Sequence, residues 1–299
     1  MTQLPPPVSV TVPPPRAVLR LLKPVTWFPP MWALACGVVS AGASLQGRWH
    51  LLAVGIALAG PLVCGTSQVV NDWFDRHVDA INEPGRPIPS GQVPGQWGLW
   101  IAIAWTLLSL AVATILGPWG LAAAAVGLLL AWAYSAPPVR LKRDGWWGNG
   151  AVAMCYEGLP WFTGVVVMTG VFPDPRILAI ALLYSIGAHG IMTVNDFKAV
   201  EGDRRMGVAS LPVQLGVDMA ALLTCWVMVL PQIVVIALLW HWGVPGYAAV
   251  IAALVVAQVF FMRRWVGKPR ELAPWYNLTG INMYVIGMMV TAVALRGLQ

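Results

Sequence analysis

The sequence predicts an all-α membrane protein, a polytopic bundle of nine transmembrane helices. Three observations carry that expectation. Of its 299 residues 58% are apolar and only 10% are charged, with mean hydropathy +0.71, whereas soluble domains carry about 25% charge. The apolar residues gather into stretches near the roughly 20 residues that a spanning helix needs. The basic residues fall almost entirely on alternate sides of those stretches, as the positive-inside rule requires.

Taken in order, residues 1–22 are expected to be a disordered cytoplasmic tail. Pro5, Pro6, Pro7, Pro13, Pro14 and Pro15 crowd its start, and no charge appears before Arg16. Residues 23–299 then form a single transmembrane domain. Its spans fall near 26–45, 51–73, 97–116, 119–136, 148–169, 176–195, 217–240, 245–263 and 276–296. Only Gly117 and Pro118 separate the third from the fourth. One side of these spans holds Arg16, Arg20, Lys23, Arg76, Arg86, Arg140, Lys142, Arg143, Lys198, Arg204, Arg205, Arg263, Arg264, Lys268 and Arg270. That is fifteen of the 18 basic residues; Arg48, Arg176 and Arg296 lie on the other. The rule places the N-terminus in the cytoplasm and, for an odd number of spans, the C-terminus in the periplasm. The net charge of +6 therefore reflects topology and an anionic ligand, and not nucleic acid. Cys36, Cys64, Cys155 and Cys225 sit far apart in apolar stretches and read as small buried hydrophobes.

The second and sixth spans each end in an acidic tip that opens with Asn-Asp. In Asn71-Asp72-Trp73-Phe74-Asp75-Arg76-His77-Val78-Asp79, the residues Asn71, Asp75 and Asp79 advance by about 40° per step, forming one strip on a helix, with Asp72 at its edge. After the sixth span, Asp196 and Asp203 are seven apart, so a regular helix sets them on one face two turns apart, with Glu201 pointing elsewhere. Ionised groups near lipid are costly and usually functional. A set of carboxylates and an amide suits Mg2+, which bridges to phosphate oxygens. The candidate ligands are Asn71, Asp72, Asp75, Asp79, Asp196 and Asp203; Asn71, Asp75, Asp79, Asp196 and Asp203 are also the candidate catalytic residues. Arg86, Arg140, Lys142 and Lys198 stand nearby in the chain and suit the charge on a departing diphosphate. A magnesium diphosphate site at the mouth of an apolar bundle implies a prenyl diphosphate, whose greasy tail lies between the helices.

These residues resemble the UbiA-type superfamily of intramembrane prenyltransferases over essentially the whole chain after residue 20, with Asn71-xxx-Asp75-xxx-Asp79 as the first motif. Within it, Lys23-Pro24-Val25-Thr26-Trp27-Phe28-Pro29-Pro30, Asp79-Ala80-Ile81-Asn82-Glu83-Pro84-Gly85-Arg86-Pro87-Ile88-Pro89-Ser90-Gly91 and Tyr134-Ser135-Ala136-Pro137-Pro138 look like the chlorophyll synthase branch. So does Asn195-Asp196-Phe197-Lys198-Ala199-Val200-Glu201-Gly202-Asp203-Arg204. Tyr156-Glu157-Gly158-Leu159-Pro160-Trp161 is most similar to bacteriochlorophyll synthases. One departure is Ala199, where many members carry the first Asp of the second motif, so Asp196 or Glu201 stands in.

The resemblance implies a UbiA-like bundle in a bacterial inner or photosynthetic membrane. It implies esterification of the propionate of bacteriochlorophyllide by geranylgeranyl or phytyl diphosphate, with release of diphosphate and pigment-assembly proteins as candidate partners. Other acceptors of the same chemistry are chlorophyllide, a quinone precursor or haem. An ion transporter would place its ionisable groups near the midplane, whereas these cluster at one surface. Glu157 within the fifth span, Tyr134 and Trp161 are candidate pigment contacts. His189 reads as a hydrogen-bonded core histidine and His77 as water-facing. Trp27, Trp73 and Trp132 read as packing or interface residues more than ring-stacking ones.

Overall fold

The fold follows from where the apolar stretches stop. The structure is a computed structural model that describes residues 12–299. The first eleven residues of the expected tail lie outside that range. The rest of the tail is not all irregular: Pro15–Leu22 forms helix α1, which buries Ala17, Leu21 and Leu22. Pro15 at the first helical position fixes φ there, and the three apolar residues give the helix a face that packs on the bundle.

Helix α2 spans Phe28–Ser40 and α3 spans Trp49–Asn82. At ~1.5 Å per residue α3 is about 50 Å long, well beyond the ~30 Å hydrocarbon layer. It is therefore longer than that layer is thick. Pro61 lies inside α3, in a π-helical segment, Leu58–Cys64. Helices α4, Trp97–Ala113, and α5, Gly117–Ser135, follow. Then come α6, Gly145–Thr169, which holds a second π segment at Met154–Gly158, and α7, Pro175–Asp196. Two short helices, α8 (Val200–Met206) and α9 (Leu211–Leu215), lead into α10 (Val217–His241) and α11 (Pro245–Val266). The chain ends in α12 (Pro269–Leu278) and α13 (Gly280–Arg296). Among the described residues there is no strand, only an isolated bridge between Asp144 and Ala209.

Seven helical runs are long and apolar enough to cross a membrane, where the sequence expects nine. Two causes account for the difference. The expected first span is α2, 13 residues long, because the turn before it takes residues 26 and 27 and the helix stops at Ser40, five residues short of the expected end at 45. The expected third and fourth spans form one run, Trp97–Ser135, interrupted only by a 3-10 turn at Thr114–Leu116 and by Gly117 at φ 75°. That left-handed conformation favours glycine and reverses the chain. Trp132 Nε1 donates to Thr106 Oγ1 at 3.1 Å, so α5 runs back along α4.

The main core joins α2, α6, α7, α10, α11, α12 and α13, with Trp161, Tyr184, Trp265, Tyr276 and Tyr284 fully buried. Helices α2 and α6 meet at glycines. A Cβ on Gly37 would collide with the Trp161 carbonyl, and one on Gly164 with the Leu34 carbonyl. Small residues allow this backbone approach, the usual device of helix pairs in lipid. A smaller core of α1, α3 and α4 includes Leu21, Val69 and Ile101. Leu107, Leu129, Val256 and Phe260 point outward, as expected where the surrounding solvent is hydrocarbon.

Candidate active site

The C-terminal end of α3 carries the first acidic tip. Because the helix runs unbroken from Gly65 to Asn82, the strip read from the sequence holds: Asn71 Nδ2 donates to Asp75 Oδ2 at 3.2 Å and to Ser135 Oγ at 3.3 Å. The strip also twists into two groups. Asp75 is paired with Arg140, 3.1 Å away, and with Lys142. Asp72 and Asp79, about 20° apart around the helix, share Arg86, at 3.2 and 2.8 Å. Asp72 also pairs with Lys23 at 2.7 Å and is 1% exposed. Arg86 is steadied in turn by Glu83, whose carboxyl that hydrogen bond holds below the usual range. Thus Asp72, expected at the edge of the strip, is instead buried against the turn before α2.

Two of these cations sit on unusual backbone. Lys23 has φ 47° and Arg140 φ 44°, the positive-φ non-glycine residues of the described chain. Such conformations cost on the order of 1–3 kcal/mol and persist where the surroundings enforce them. Burial pulls the Lys142 ammonium below its usual range, against the opposing charge of Asp75.

The second tip departs from the regular helix assumed in the sequence. α7 ends at Asp196, and a turn through Phe197–Ala199 starts α8, so Asp196 and Asp203 lie on different helices. Asn149 Nδ2 donates to Asp196 Oδ2 at 2.8 Å, and Ser210 Oγ donates to Asp203 Oδ2 at 2.7 Å. Burial raises the Asp203 carboxyl and the bond from Ser210 opposes that. Glu201 points away, pairing with Arg270 at 3.2 Å. Both tips stand at the same end of the bundle. Gly145 N donates to Ala209 O and Ala209 N to Arg143 O, stitching the loop that carries Arg140 and Lys142 to the loop after the second tip. Tyr134 lies within charge range of Asp75, Asp196 and Asp203.

Below Asn71 and Tyr134 opens a cavity of about 250 Å3 between α3, α5 and α6. Leu58, Val63, Ala124, Gly127, Ala131 and Leu159 supply much of its apolar wall. Its polar atoms include Tyr156 Oη, which accepts from Gln68 Nε2 at 3.3 Å and lies 3.5 Å from Cys64 Sγ. The two π segments of α3 and α6 turn these residues into the wall; π segments recur at functional sites.

The expected pigment contacts divide. Tyr134 lines the cavity. Trp161 does not: it is fully buried, donates to Ser40 Oγ at 3.1 Å and stacks on Tyr184. Glu157 is likewise buried in the core, with Oε2 unpartnered, because the π turn directs its neighbour Tyr156 to the cavity and Glu157 away from it. His189 makes the expected hydrogen bond, to the Trp146 carbonyl at 3.2 Å, but it is half-buried and not in the core, and His77 is exposed. Lys198 is exposed and makes no ion pair among the described residues. The site also contains Lys23, Ser135, Asn149 and Ser210, which sequence reasoning passed over as site residues. Lys23 stood in a quoted motif, and Asn149 was a lone amide at the start of an apolar span.

Residues 27–286 match the UbiA prenyltransferase family. The chain belongs to that family. It is 60% identical over 289 residues to the bacteriochlorophyll synthase 33 kDa chain of Cereibacter sphaeroides, covering 97% of this chain and 96% of that one. It is 54% identical to the 33 kDa chain of the same name from Rhodobacter capsulatus, covering 96% and 95%. A UbiA homologue from Archaeoglobus fulgidus bound to GPP and Mg2+ shares the fold, with TM-score 0.71 at 21% identity, covering 91% of this chain and 99% of that one.

Family membership makes the chain a multi-pass membrane prenyltransferase and sharpens the question of a metal. Among the described residues, no three His, Cys, Asp or Glu side chains converge as a ready metal set. The reason is visible: each carboxylate of the first tip already faces a cation. The donors nevertheless fit a hard divalent ion. They are oxygens of Asn71, Asp75, Asp196 and Asp203 at one mouth; Asp72 Oδ2 is a buried acceptor without a partner, and Arg140 Nε, a buried donor without one, suits an anion and not the metal.

Proposed function

We propose that this chain is a bacteriochlorophyll synthase, esterifying the propionate of bacteriochlorophyllide with a geranylgeranyl or phytyl group. The observation that carries it is the pairing of two acidic tips and a basic loop with an apolar cavity directly beneath them. The near full-length similarity to bacteriochlorophyll synthases supports the choice of acceptor.

The prenyl tail lies in the cavity and its diphosphate at the mouth. There Arg140 and Lys142 stabilise the charge that builds on the leaving oxygens, and Arg86, Lys23 and Lys198 extend the same field. Asn71, Asp75, Asp196 and Asp203 would hold Mg2+, which when bound would supply Lewis-acid stabilisation of the diphosphate. A propionate oxygen bonds to C1 of the prenyl chain as the bond from C1 to the bridging oxygen breaks, and the electron pair leaves with diphosphate. The propionate is ionised at neutral pH, so no general base is required. Tyr134, between the tips, closes the mouth over C1 and limits the access of water.

We further assign nine passes, counting α2 and both α4 and α5, with the N-terminus and the mouth cytoplasmic and the C-terminus periplasmic, in a bacterial inner or photosynthetic membrane. The distribution of basic residues supports this orientation. The test is to incubate membranes with geranylgeranyl diphosphate and bacteriochlorophyllide, following diphosphate release and the mass of the pigment. Esterified pigment is expected. Release with a quinone precursor or haem but not with the pigment would overturn the acceptor.

A further inference from the structure

The two acidic tips are held in opposite ways. Asp72, Asp75 and Asp79 each face a cation. Asp196 and Asp203 are held instead by neutral donors, Asn149 on α6 and Ser210 just before α9, at 2.8 and 2.7 Å. Asp196 has the harder position: it is the last residue of α7, at the negative end of the helix, which disfavours a carboxylate. The amide that holds it is itself fixed. Asn149 Nδ2 also donates to Thr193 Oγ1 at 3.2 Å, and the Thr193 hydroxyl gives its own hydrogen to the His189 carbonyl at 2.9 Å. Thr193 Oγ1 and an ionised carboxylate oxygen can then only accept, so both hydrogens of Nδ2 are committed and the amide has one orientation. Asn149 is 8% exposed, and its helix is seated on the basic loop. Asp144 caps α6, accepting from Trp146 N and Trp147 N at 2.9 and 3.1 Å. A Cβ on Gly148 would stand 3.0 Å from the Leu141 carbonyl oxygen and 3.1 Å from Lys142 Cα. The residue that steadies Asp196 thus belongs to the stretch that sets Lys142 on Asp75.

We propose that Asn149 is the positioning residue of the second tip: its amide fixes Asp196 Oδ2 and leaves Oδ1, which has no donor among the described residues, for a divalent ion. An amide in this place holds the side chain without neutralising it, so the whole charge of Asp196 stays available to a hard cation. Asp203, within charge range of Asp196, is treated alike by Ser210. The need for such a device arises at Ala199. That residue stands at the start of α8, one turn before Asp203, whose N–H donates to the Ala199 carbonyl at 2.8 Å. An acidic side chain there would offer a second carboxylate from the same turn of helix as Asp203. With alanine in its place, the second carboxylate comes from another helix, α7, and Asn149 supplies the contact that sets it. Groups that orient a metal ligand in this way are worth about 10- to 100-fold in metal affinity. This role rests on the metal-assisted transfer proposed above, because it concerns how that metal is held.

The test follows Mn2+ in place of Mg2+, by loss of its free EPR signal, in detergent-solubilised protein with inorganic diphosphate, beside ester formation in membranes. Asn149→Leu keeps size and removes both hydrogens; Thr193→Val keeps shape and removes one anchor of the amide. Asn149→Leu should weaken Mn2+ binding about 10- to 100-fold and raise the magnesium needed for half-maximal ester formation by a like factor, with KM for bacteriochlorophyllide unchanged. Thr193→Val should give a smaller loss in the same direction. Adding Ala199→Asp to Asn149→Leu should recover most of the metal affinity, which a merely structural role for Asn149 would not allow. An Asn149→Leu protein that binds Mn2+ as the parent does overturns the proposal, and so does a loss that Ala199→Asp leaves in place. If Asn149→Leu does not accumulate in membranes, Thr193→Val decides, and parent-like Mn2+ binding by it overturns the proposal. An unaltered protein that takes up no Mn2+ with diphosphate overturns the metal site and the role of Asn149 together. One that takes up Mn2+ but esterifies no pigment overturns the acceptor instead, and the Mn2+ comparison still decides Asn149.

Discussion

Asp75 occupies the centre of the first tip, held by Asn71, Arg140 and Lys142 at once. Its replacement by Asn keeps size and one acceptor but removes the charge that a divalent ion needs. Turnover of Asp75→Asn is expected to fall about 10²- to 10³-fold, the cost of losing one key electrostatic group, while the amount of inserted protein stays the same; ester formed per amount of protein measures it, and near-normal turnover would exclude Asp75 from the site. At this scale the sequence was informative where the backbone stays regular. The 3.6-residue period brought Asn71 and Asp75 together because nothing interrupts α3 between them. It failed for Asp196 and Asp203. The turn between them is set by Phe197, 1% exposed with its ring 5.2 Å from Trp265, a contact across more than sixty positions of chain that no local pattern discloses. Glu157 and Trp161 were misplaced for a related reason: the register of a π turn, which decides who faces the cavity, is not written in apolar periodicity.

Among the elements, α7 and the α2–α6 pair show how helix ends and crossings are fixed. Asp174 caps α7, accepting from Arg176 N at 2.7 Å and pairing with the Arg176 side chain at 3.2 Å. Arg176 holds its carboxyl below the usual range. The stabilisation is therefore complete above the unfolded aspartate value and is lost as pH falls through the lower folded value. Asp174→Ala should cost about 1 kcal/mol at neutral pH, and the gap in detergent melting temperature between it and the parent should close on acidification. A gap that does not change with pH would show that the cap carries no ionic part. At the crossing, Gly37→Leu must push Trp161 and Gly164 away. It should destabilise by about 3 kcal/mol in mixed-micelle unfolding, whereas Gly246→Ala, with nothing within 4 Å of its Cβ, should be neutral. Apolar stretches gave the positions of most helices. The hairpin at Gly117 and the brevity of α2 were hidden, because hydropathy records burial from water and not chain reversal.

Across the whole molecule, the two tips, the basic loop and the mouth lie at one end, as the alternation of charge in the sequence suggested. That arrangement has a consequence for how the enzyme loads. In the resting protein Lys23, Arg86, Arg140 and Lys142 act as built-in counterions for Asp72, Asp75 and Asp79. A lone divalent ion must evict them and leave ammonium and guanidinium groups stranded; a lone diphosphate must strip them from their carboxylates. Arriving together, each takes the partner the other releases, and the swap leaves the local charge nearly balanced. Magnesium and inorganic diphosphate should thus bind as an obligate pair, each tightening the other by the same factor. Titration calorimetry of the detergent-solubilised protein should register little heat for either alone and a strong isotherm for both, and tight uptake of magnesium by itself would rule out the exchange.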